Sequence, residues 1–283
     1  MERVSSKEEV RQAVGAARRE NKRVALVPTM GALHEGHLSL VRAACSRVDY
    51  VAVSVFVNPT QFGPGEDFGA YPRDLERDLD LLAAEGIDLV FAPRPEEMYA
   101  SDAQVTVDPG PLGGVWEGAI RPTHFSGVCT VVAKLLSIVT PDLAVFGEKD
   151  YQQLQVVRLL VRDLDLPVKV VAAPTIREPD GCAMSSRNVY LSAEERAAAT
   201  VLYQALRTAE TLALDGERDA RLLSGAMREC VAAEPAAVLD YAAVVDADTL
   251  AEIDALGAEP ARAIIAARVG SVRLIDNIAL VAG

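Results

Sequence analysis

The stretch VALVPTMGALHEGH, residues 24–37, decides most of what the sequence says about the fold. Its apolar run at 24–27 is typical of a buried strand, and a helix is predicted over 37–47. The glycine-containing turn between them leads from the carboxyl end of the strand to the start of the helix. Backbone N–H groups and the positive end of the helix dipole meet at such a turn, so the stretch predicts a phosphate-binding site.

The same alternation of strand and helix continues outward from this stretch. Further strands are predicted over 50–57, 88–92, 143–146 and 168–172, and further helices over 74–85, 126–139 and 151–162. Continuous apolar strands separated by helices predict a parallel sheet that is covered on both faces. The expected fold is therefore a doubly wound α/β domain, with ligands beyond the carboxyl ends of the strands.

The pattern changes after residue 174. Helices are predicted over 192–214, with Ser192 and Glu195 forming a capping box, and over 218–233. Strands follow over 239–245, 263–267 and 272–278. Helices followed by strands indicate a smaller α+β domain, so we predict two domains, 1–175 and 176–283, the second acting as a lid.

Composition excludes several classes of protein. The 283 residues include 28 Lys and Arg against 41 Asp and Glu, a net charge of −13. Globular proportions exclude wholesale disorder and fibrous structure, and the negative charge argues against nucleic-acid binding. No apolar run reaches membrane-spanning length, the N-terminus lacks a signal-peptide core, and the four cysteines form no CxxC pair. We expect a cytoplasmic protein without a membrane, zinc or disulfide role.

Two of the three histidines, His34 and His37, lie at the predicted phosphate turn, close to Gly31 and Gly36. Their ring N–H groups could donate to phosphate oxygens as negative charge builds up. A structural role as a helix cap or core residue is the alternative. A metal pair is a further alternative, although the general-base glutamate of an HExxH motif is not placed here.

Three other segments carry polar side chains that suggest ligand binding. Asn58 and Gln61 follow the strand 50–57 and can both donate and accept, although Asn-Pro alone is typical of a turn. Lys149 lies at a predicted helix start, where the dipole disfavours a cation unless an anion binds, and Gln153 follows one turn later. An exposed lysine without a role is the alternative. Residues 184–187, MSSR, could clamp a triphosphate, but the motif is weak alone.

Four stretches taken together resemble one known family. PTMGALHEGH, FVNPTQF, FGEKDYQQLQ and REPDGCAMSSRN, in this order, are similar to the pantoate–β-alanine ligases. These belong to a group of nucleotidyltransferases with a Rossmann-like fold, and the resemblance covers essentially the whole chain. It implies ATP, magnesium, pantoate and β-alanine as ligands, a pantoyl adenylate as the intermediate, and a homodimer.

The resemblance also implies roles for individual residues. His34, His37 and Lys149 would stabilise charge on the phosphates. Nucleotide contacts are implied at Met30, Gly31, Gly147, Asp150, Ile176, Met184, Ser185, Ser186 and Arg187, and pantoate contacts at Asn58, Gln61, Tyr71 and Gln153. Asp78 is expected to help place magnesium through water, with a solvated helix face as the alternative. His124 is either a third site histidine or a loop residue.

Two other functions are compatible with these residues. A nucleotidyltransferase of the same group could keep AMP in its product instead of releasing it. A module that senses ATP without turnover would need the phosphate-binding residues but not the amides Gln61 and Gln153.

Overall fold

The computed structural model describes residues 1–281, which form two compact units. The first unit contains Met1–Glu148 and Gln152–Pro174. The second contains Lys149–Tyr151 and the chain from Thr175 onward. The short segment around Lys149 therefore belongs to the second unit, although its neighbours on both sides belong to the first.

A parallel sheet forms the centre of the first unit, with the strand order β1-β4-β3-β2-β5-β6. The strands are β1 (Glu2–Val4), β2 (Val24–Thr29), β3 (Tyr50–Val55), β4 (Leu89–Phe91), β5 (Leu143–Gly147) and β6 (Lys169–Ala173). From β2 the chain builds the sheet first towards β3 and later, in the other direction, towards β5. The predicted doubly wound α/β fold is confirmed, and its switch point lies between β2 and β5.

Helices cover both faces of this sheet. They are α1 (Lys7–Arg19), α2 (Glu35–Cys45), α3 (Leu75–Ala84), the short α4 (Pro95–Met98) and α5 (Glu117–Ile120), α6 (His124–Val139) and α7 (Tyr151–Asp163). Alternate strand residues such as Val27 and Val53 pack with Leu82 of α3 and Val41 of α2. Within residues 1–281, every helix is too short or too polar to cross a membrane.

The switch point opens because two neighbouring strands separate. β2 pairs with β3 along its whole length, from Val24 opposite Tyr50 to Thr29 opposite Val55. Its ladder with β5 includes only Ala25 and Leu26. Pro28, which has no N–H to donate, lies in the part of β2 beyond that ladder. The ladder between β2 and β5 therefore ends before the carboxyl ends of these strands.

The first elements of the chain were not predicted. β1 is a three-residue edge strand, and its partner β4 is distant in sequence. Helix α1 has a complete capping box, in which Ser6 and Glu9 bind each other's backbone N–H. The pattern Ser-x-x-Glu before an amphipathic run was the signal that could have located α1.

The second unit has three main helices and an antiparallel sheet. These are α8 (Ala193–Ala198), α9 (Val201–Leu214) and α10 (Ala220–Ala232), followed by β7 (Ala237–Asp246), β8 (Ala261–Val269) and β9 (Val272–Leu280) in the order β7-β8-β9. The α+β prediction is confirmed. The single helix predicted over 192–214 is wrong: the Thr200 N–H and hydroxyl both bind the Ala197 carbonyl, which tightens the turn and separates α8 from α9.

Helix α6 approaches a 3-10 turn, Pro59–Gln61, through a glycine. A Cβ added to Gly127 would lie 2.4 Å from the Thr60 carbonyl oxygen and 2.6 Å from the Gln61 Cα. These are backbone atoms, which cannot rotate out of the way. Gly127 thus allows the helix to contact the turn that carries Gln61.

We predict that Gly127→Ala destabilises the first unit by about 2–3 kcal/mol, because the helix and the turn must separate. Gly15→Ala is the matched control in the interior of α1, where the added Cβ meets only the end of the Arg19 side chain at 3.6 Å. The control should stabilise the protein by about 0.5–1 kcal/mol, the usual helix preference of alanine. Urea unfolding measures both, and equal effects of the two substitutions would contradict the packing argument.

Candidate active site

The turn after β2 has a strained backbone that a buried carboxylate supports. Gly31 and Ala32 both have positive φ angles, 81° and 49°. The carboxylate of Asp78, on α3, accepts hydrogen bonds from the Ala32 N–H at 2.9 Å and the Leu33 N–H at 2.8 Å. A Cβ on Gly31 would lie 2.9 Å from Asp78 Oδ2, so this position requires glycine. The backbone of the turn and the carboxylate of α3 therefore stabilise each other's positions.

Asp78 is buried, which overturns the alternative of a solvated helix face. Burial raises the pKa of its carboxyl above the ordinary value, while the N–H groups of Leu33 and Ala32 oppose the rise. Asp78 thus holds the backbone of the turn after β2. Its contact with magnesium through water stays a prediction.

Both histidines cap helix α2. His34 is the N-cap, and its Nδ1 accepts from the Gly36 N–H at 3.1 Å. The Nδ1 of His37 accepts from the His34 N–H at 3.3 Å, which completes a capping box, and the two ring centroids are 4.1 Å apart. Both residues therefore have a capping role, and their role at phosphate stays a prediction.

Capping does not compete with phosphate binding, because it uses only one nitrogen of each ring. A nitrogen that accepts an N–H cannot carry a proton, so each neutral ring carries its proton on Nε2. The cap thereby selects the tautomer with a donor at Nε2. The start of α2 therefore carries two such donors at the switch point. The dipole of the helix favours an anion at this end.

The amides predicted to bind pantoate lie beside this turn. Asn58 and Gln61 are both buried, and Asn58 Nδ2 donates to Gln61 Oε1 at 3.1 Å. Gln61 Nε2 lies 3.0 Å from the sulfur of Met30, the residue between β2 and Gly31. Tyr71 is buried and packs edge-on against Phe62, next to Gln61. The structure brings these predicted residues together with Met30.

Two neighbouring glutamines on α7 differ in their contacts. Gln152 is buried, donates to the carbonyls of Leu112 and Val115 at 2.8 Å each, and accepts from the Glu117 N–H at 3.0 Å. These bonds hold the loop before α5. Gln153 is half-buried, and its role at pantoate stays a prediction.

A cavity of about 560 Å³ lies beside the turn after β2. Met30, Gly31 and Asp78 line it, together with side chains at the carboxyl ends of β1, β3 and β4 such as Arg3 and Arg94. Its lining does not include the predicted pantoate residues Asn58, Gln61, Tyr71 and Gln153.

His124 is a positioning residue that the sequence left undecided. It begins α6, is buried, and its Nδ1 lies 3.0 Å from the Gln61 carbonyl oxygen. A carbonyl oxygen only accepts, so Nδ1 carries the proton and donates. Burial above all, and the charge of Arg121, lower the pKa of His124 to about 4. The ring is therefore neutral near pH 7 and supports the backbone at Gln61.

We predict that His124 makes the first unit sensitive to acid. Its folded-state pKa of about 4 lies below the ordinary 6.5, so its stabilising effect is complete above pH 6.5 and is lost as the pH falls towards 4. The loss is about 3 kcal/mol in total. His124→Asn retains a donor in place of Nδ1 and does not titrate. The free energies of unfolding of the parent protein and the variant are measured in urea at pH 7 and at pH 4. Lowering the pH should destabilise the parent protein relative to the variant by that amount, and a difference between the two that does not change with pH would contradict this.

In the second unit, a hydrogen bond to the backbone carbonyl of Lys149 fixes the position of this residue. It lies in a 3-10 turn, Glu148–Asp150, directly before α7, and its carbonyl accepts from Asn277 Nδ2 of β9 at 2.9 Å. The Lys149 Nζ is 3.5 Å from Asp150 Oδ1, a contact that is too long for a strong ion pair. The ammonium group is therefore only loosely engaged by this carboxylate.

The predicted nucleotide edge of the second unit is a loop that closes on itself. The Met184 N–H donates to the Ile176 carbonyl at 3.0 Å, and Ser185 caps the 3-10 helix Ser186–Tyr190 by accepting from the Arg187 N–H at 3.2 Å. Lys149 and Ser185 line the same small cavity, of about 10 Å³. The structure thus brings the lysine and the predicted loop together.

A buried ion pair, which the sequence did not reveal, anchors this loop to β9. Arg177 donates to both carboxylate oxygens of Asp276, at 2.6 and 3.0 Å, and also to the Gly181 carbonyl. The Arg177 guanidinium lies over the Tyr203 ring at 4.1 Å. These partners are distant in sequence, so only the folded chain shows the contact.

The sheet topology, with a glycine-containing turn between β2 and α2 at the switch point, is that of nucleotide-binding α/β folds. The family model of the pantoate–β-alanine ligases matches residues 2–279. The chain belongs to this family.

The sequences and structures of individual relatives match this chain over nearly its whole length. The pantothenate synthetase of Rubrobacter xylanophilus is 58% identical over 282 residues, 97% of each chain. The crystal structure of the Thermus thermophilus enzyme has a TM-score of 0.93 and 51% identity, covering 98% of this chain and 99% of that one. A Francisella tularensis pantoate–β-alanine ligase complexed with β,γ-ATP and β-alanine has a TM-score of 0.80 and 33% identity, covering 98% and 97%.

Proposed function

We propose that the chain joins pantoate to β-alanine in two steps, with ATP as the activating substrate. In the first step a carboxylate oxygen of pantoate attacks the α-phosphorus of ATP. The bond from that phosphorus to the bridging oxygen breaks, and pyrophosphate leaves. In the second step the amine of β-alanine attacks the acyl carbon, the bond to AMP breaks, and the nitrogen loses a proton to give pantothenate.

The observation that carries this proposal is the pair of capped histidines at the switch point, beside the buried amide of Gln61. The Nε2–H groups of His34 and His37 are donors suited to the charge that develops on the phosphate oxygens. A donor held by a helix cap is already oriented and needs no reorganisation during the reaction. Since pyrophosphate is a good leaving group, electrostatic stabilisation suffices and neither histidine has to transfer a proton.

Lys149 is proposed to neutralise phosphate charge in the same step. Its position in a turn before α7 is unfavourable for a cation unless an anion binds there. Met30, Gly31, Gly147, Asp150, Ile176 and the loop Met184, Ser185, Ser186 and Arg187 are proposed to bind the nucleotide. For Gly147, an added Cβ would make only an ordinary contact with Leu40 at 3.7 Å, so packing inside the first unit does not require glycine. Close approach of a ligand supplies that reason.

Magnesium is proposed to bind mainly to the phosphates of ATP. Mg²⁺ is usually held by one or two carboxylates together with substrate phosphates. Among residues 1–281 no group of three or more His, Cys, Asp or Glu side chains is placed to hold a metal, and both oxygens of Asp78 accept backbone N–H groups. The residues present do not form a magnesium cage, and the roles of His34, His37 and Lys149 are independent of the ion.

We further propose that the protein acts in the cytoplasm as a homodimer. All four cysteines are free thiols, as expected in a reducing compartment. Sedimentation equilibrium should give the mass of two 30.2 kDa chains. The predicted lid role of the second unit stays a prediction.

The test of the first step is exchange of labelled pyrophosphate into ATP. Exchange should require pantoate and proceed without β-alanine, and adding β-alanine should release one AMP for each pantothenate formed. A nucleotidyltransferase that keeps AMP in its product would release no free AMP. An ATP-sensing module would bind ATP without any exchange, and either result would overturn the proposal.

A further inference from the structure

Tyr99, which follows the short helix α4, contacts the amide cluster from outside the predicted site. Its hydroxyl donates to Asn58 Oδ1 at 2.7 Å. Thr60 also donates to Asn58 Oδ1, through its hydroxyl at 3.0 Å and its N–H at 3.3 Å. The Tyr99 ring packs near Phe56, with centroids 6.3 Å apart. Asn58 therefore receives its donors on the oxygen side.

The nitrogen side of Asn58 faces only acceptors. Its Nδ2 donates to Gln61 Oε1 and to the Gly127 carbonyl oxygen, both at 3.1 Å. If the amide rotated by half a turn, Asn58 Oδ1 would face two oxygens and Nδ2 would face the Thr60 N–H, which can only donate. Asn58 is 1% exposed, so water cannot compensate for this mismatch. Its orientation is thus determined by the two acceptors on one side and the Thr60 N–H on the other, and the Tyr99 hydroxyl adds the shortest hydrogen bond that holds it, at 2.7 Å.

The orientation of Gln61 follows from that of Asn58. Because Gln61 Oε1 accepts from Asn58, the NH₂ group of Gln61 is directed to the opposite side, where it lies 3.0 Å from the Met30 sulfur. An NH₂ group is a donor and suits a carboxylate or hydroxyl oxygen of a ligand. A rotated Gln61 would present its carbonyl oxygen and repel a carboxylate.

We propose that Tyr99 is a positioning residue for the acid substrate: acting through Asn58, its hydroxyl keeps the NH₂ group of Gln61 turned towards the ligand. This inference rests on the proposed function, in which Gln61 binds pantoate. It assigns Tyr99 to the binding of pantoate, the acid substrate, and not to the binding of ATP.

The test is Tyr99→Phe, which removes the hydroxyl and keeps the ring. The KM for pantoate should rise about 3- to 10-fold, the usual effect of one net hydrogen bond, while the KM for ATP and kcat change less than twofold. Tyr50→Phe is the matched control. Tyr50 is also largely buried, but it begins β3, at the end of the sheet opposite the site. The control should leave all constants unchanged, and equal changes in both KM values for Tyr99→Phe would overturn the proposal.

A second variant tests the orientation itself. Asn58→Asp replaces the Nδ2 donor by an oxygen, so the NH₂ group of Gln61 must turn towards the new carboxylate and away from the ligand. The KM for pantoate of Asn58→Asp should be at least 10 times the KM of Tyr99→Phe. An equal or lower KM would overturn the positioning of Gln61 through Asn58. Circular dichroism and thermal unfolding show whether each variant is folded. If Asn58→Asp does not fold, Thr60→Val, which removes another donor to Asn58, should raise the same KM about threefold.

Gln61→Ala distinguishes the role of Gln61 at pantoate from the positioning role of Tyr99. If it leaves the KM for pantoate unchanged, the assignment of Gln61 in the proposed function is wrong. If it raises that KM while Tyr99→Phe has no effect, the function stands and the positioning role of Tyr99 is wrong.

Discussion

Replacing Lys149 by alanine is expected to slow pantoate-dependent exchange of pyrophosphate into ATP by roughly 10²–10³-fold, the usual effect of removing one charge-stabilising group. The ammonium is only loosely engaged with Asp150, at 3.5 Å, so little folding energy depends on it. The loss should therefore appear in the adenylation step, and the thermal unfolding temperature should stay close to that of the parent protein.

Lys169→Ala is the control for this prediction. Lys169 is exposed on β6, at the edge of the sheet, and removing its charge changes the net charge of the protein by the same amount. Exchange should be unaffected in the control. A near-normal burst of adenylate in Lys149→Ala would show that the lysine does not stabilise the reacting phosphate.

The second large effect is expected at His37. His37→Ala removes the Nε2 donor and the acceptor of the His34 N–H, so exchange should fall by roughly 10²–10³-fold. In the proposed function Nδ1 of the ring caps the helix and Nε2 donates to phosphate, and amide side chains can separate these two roles. Asparagine places an oxygen near the position of Nδ1, whereas glutamine places an NH₂ group near the position of Nε2. We expect His37→Asn to keep the cap and lose exchange, and His37→Gln to recover about tenfold over His37→Ala.

His34 provides the matching test of capping against chemistry. Asparagine is among the best N-cap residues, so His34→Asn should keep the stability of α2, while His34→Ala should lose about 1 kcal/mol. Both variants lack the Nε2 donor and should be slow in exchange. If His34→Asn exchanges at the parental rate, the ring of His34 serves only as a cap.

Elements with a strong local pattern were predictable from the sequence. The apolar runs that became β2, β3 and β5 are buried on both faces, and that burial is visible as an uninterrupted stretch of apolar letters. The short edge strand β1 carries little such signal, because half of its environment is solvent. The break between α8 and α9 depends on one threonine hydroxyl that competes for a carbonyl, and a helical period does not reveal it.

Site residues were predictable where they lie close together in the chain. His34, His37 and the turn before them form one continuous stretch, so a role for them at phosphate could be proposed from spacing and from the resemblance to a family. The residues of other segments that contact this stretch could not be inferred from the sequence. Asp78 supports the turn from another helix, and nothing in its own neighbourhood distinguishes it from the other acidic residues of α3.

The sequence by itself determined most of the alternation of strands and helices and the family to which the chain belongs, because both depend on residues that are neighbours along the chain. Only the tertiary structure decided which ring nitrogens of His34 and His37 are donors, how the Gln61 amide is turned, and that His124 is neutral. These properties depend on hydrogen bonds and burial that arise where separate segments meet, and a linear pattern does not record which atoms will meet.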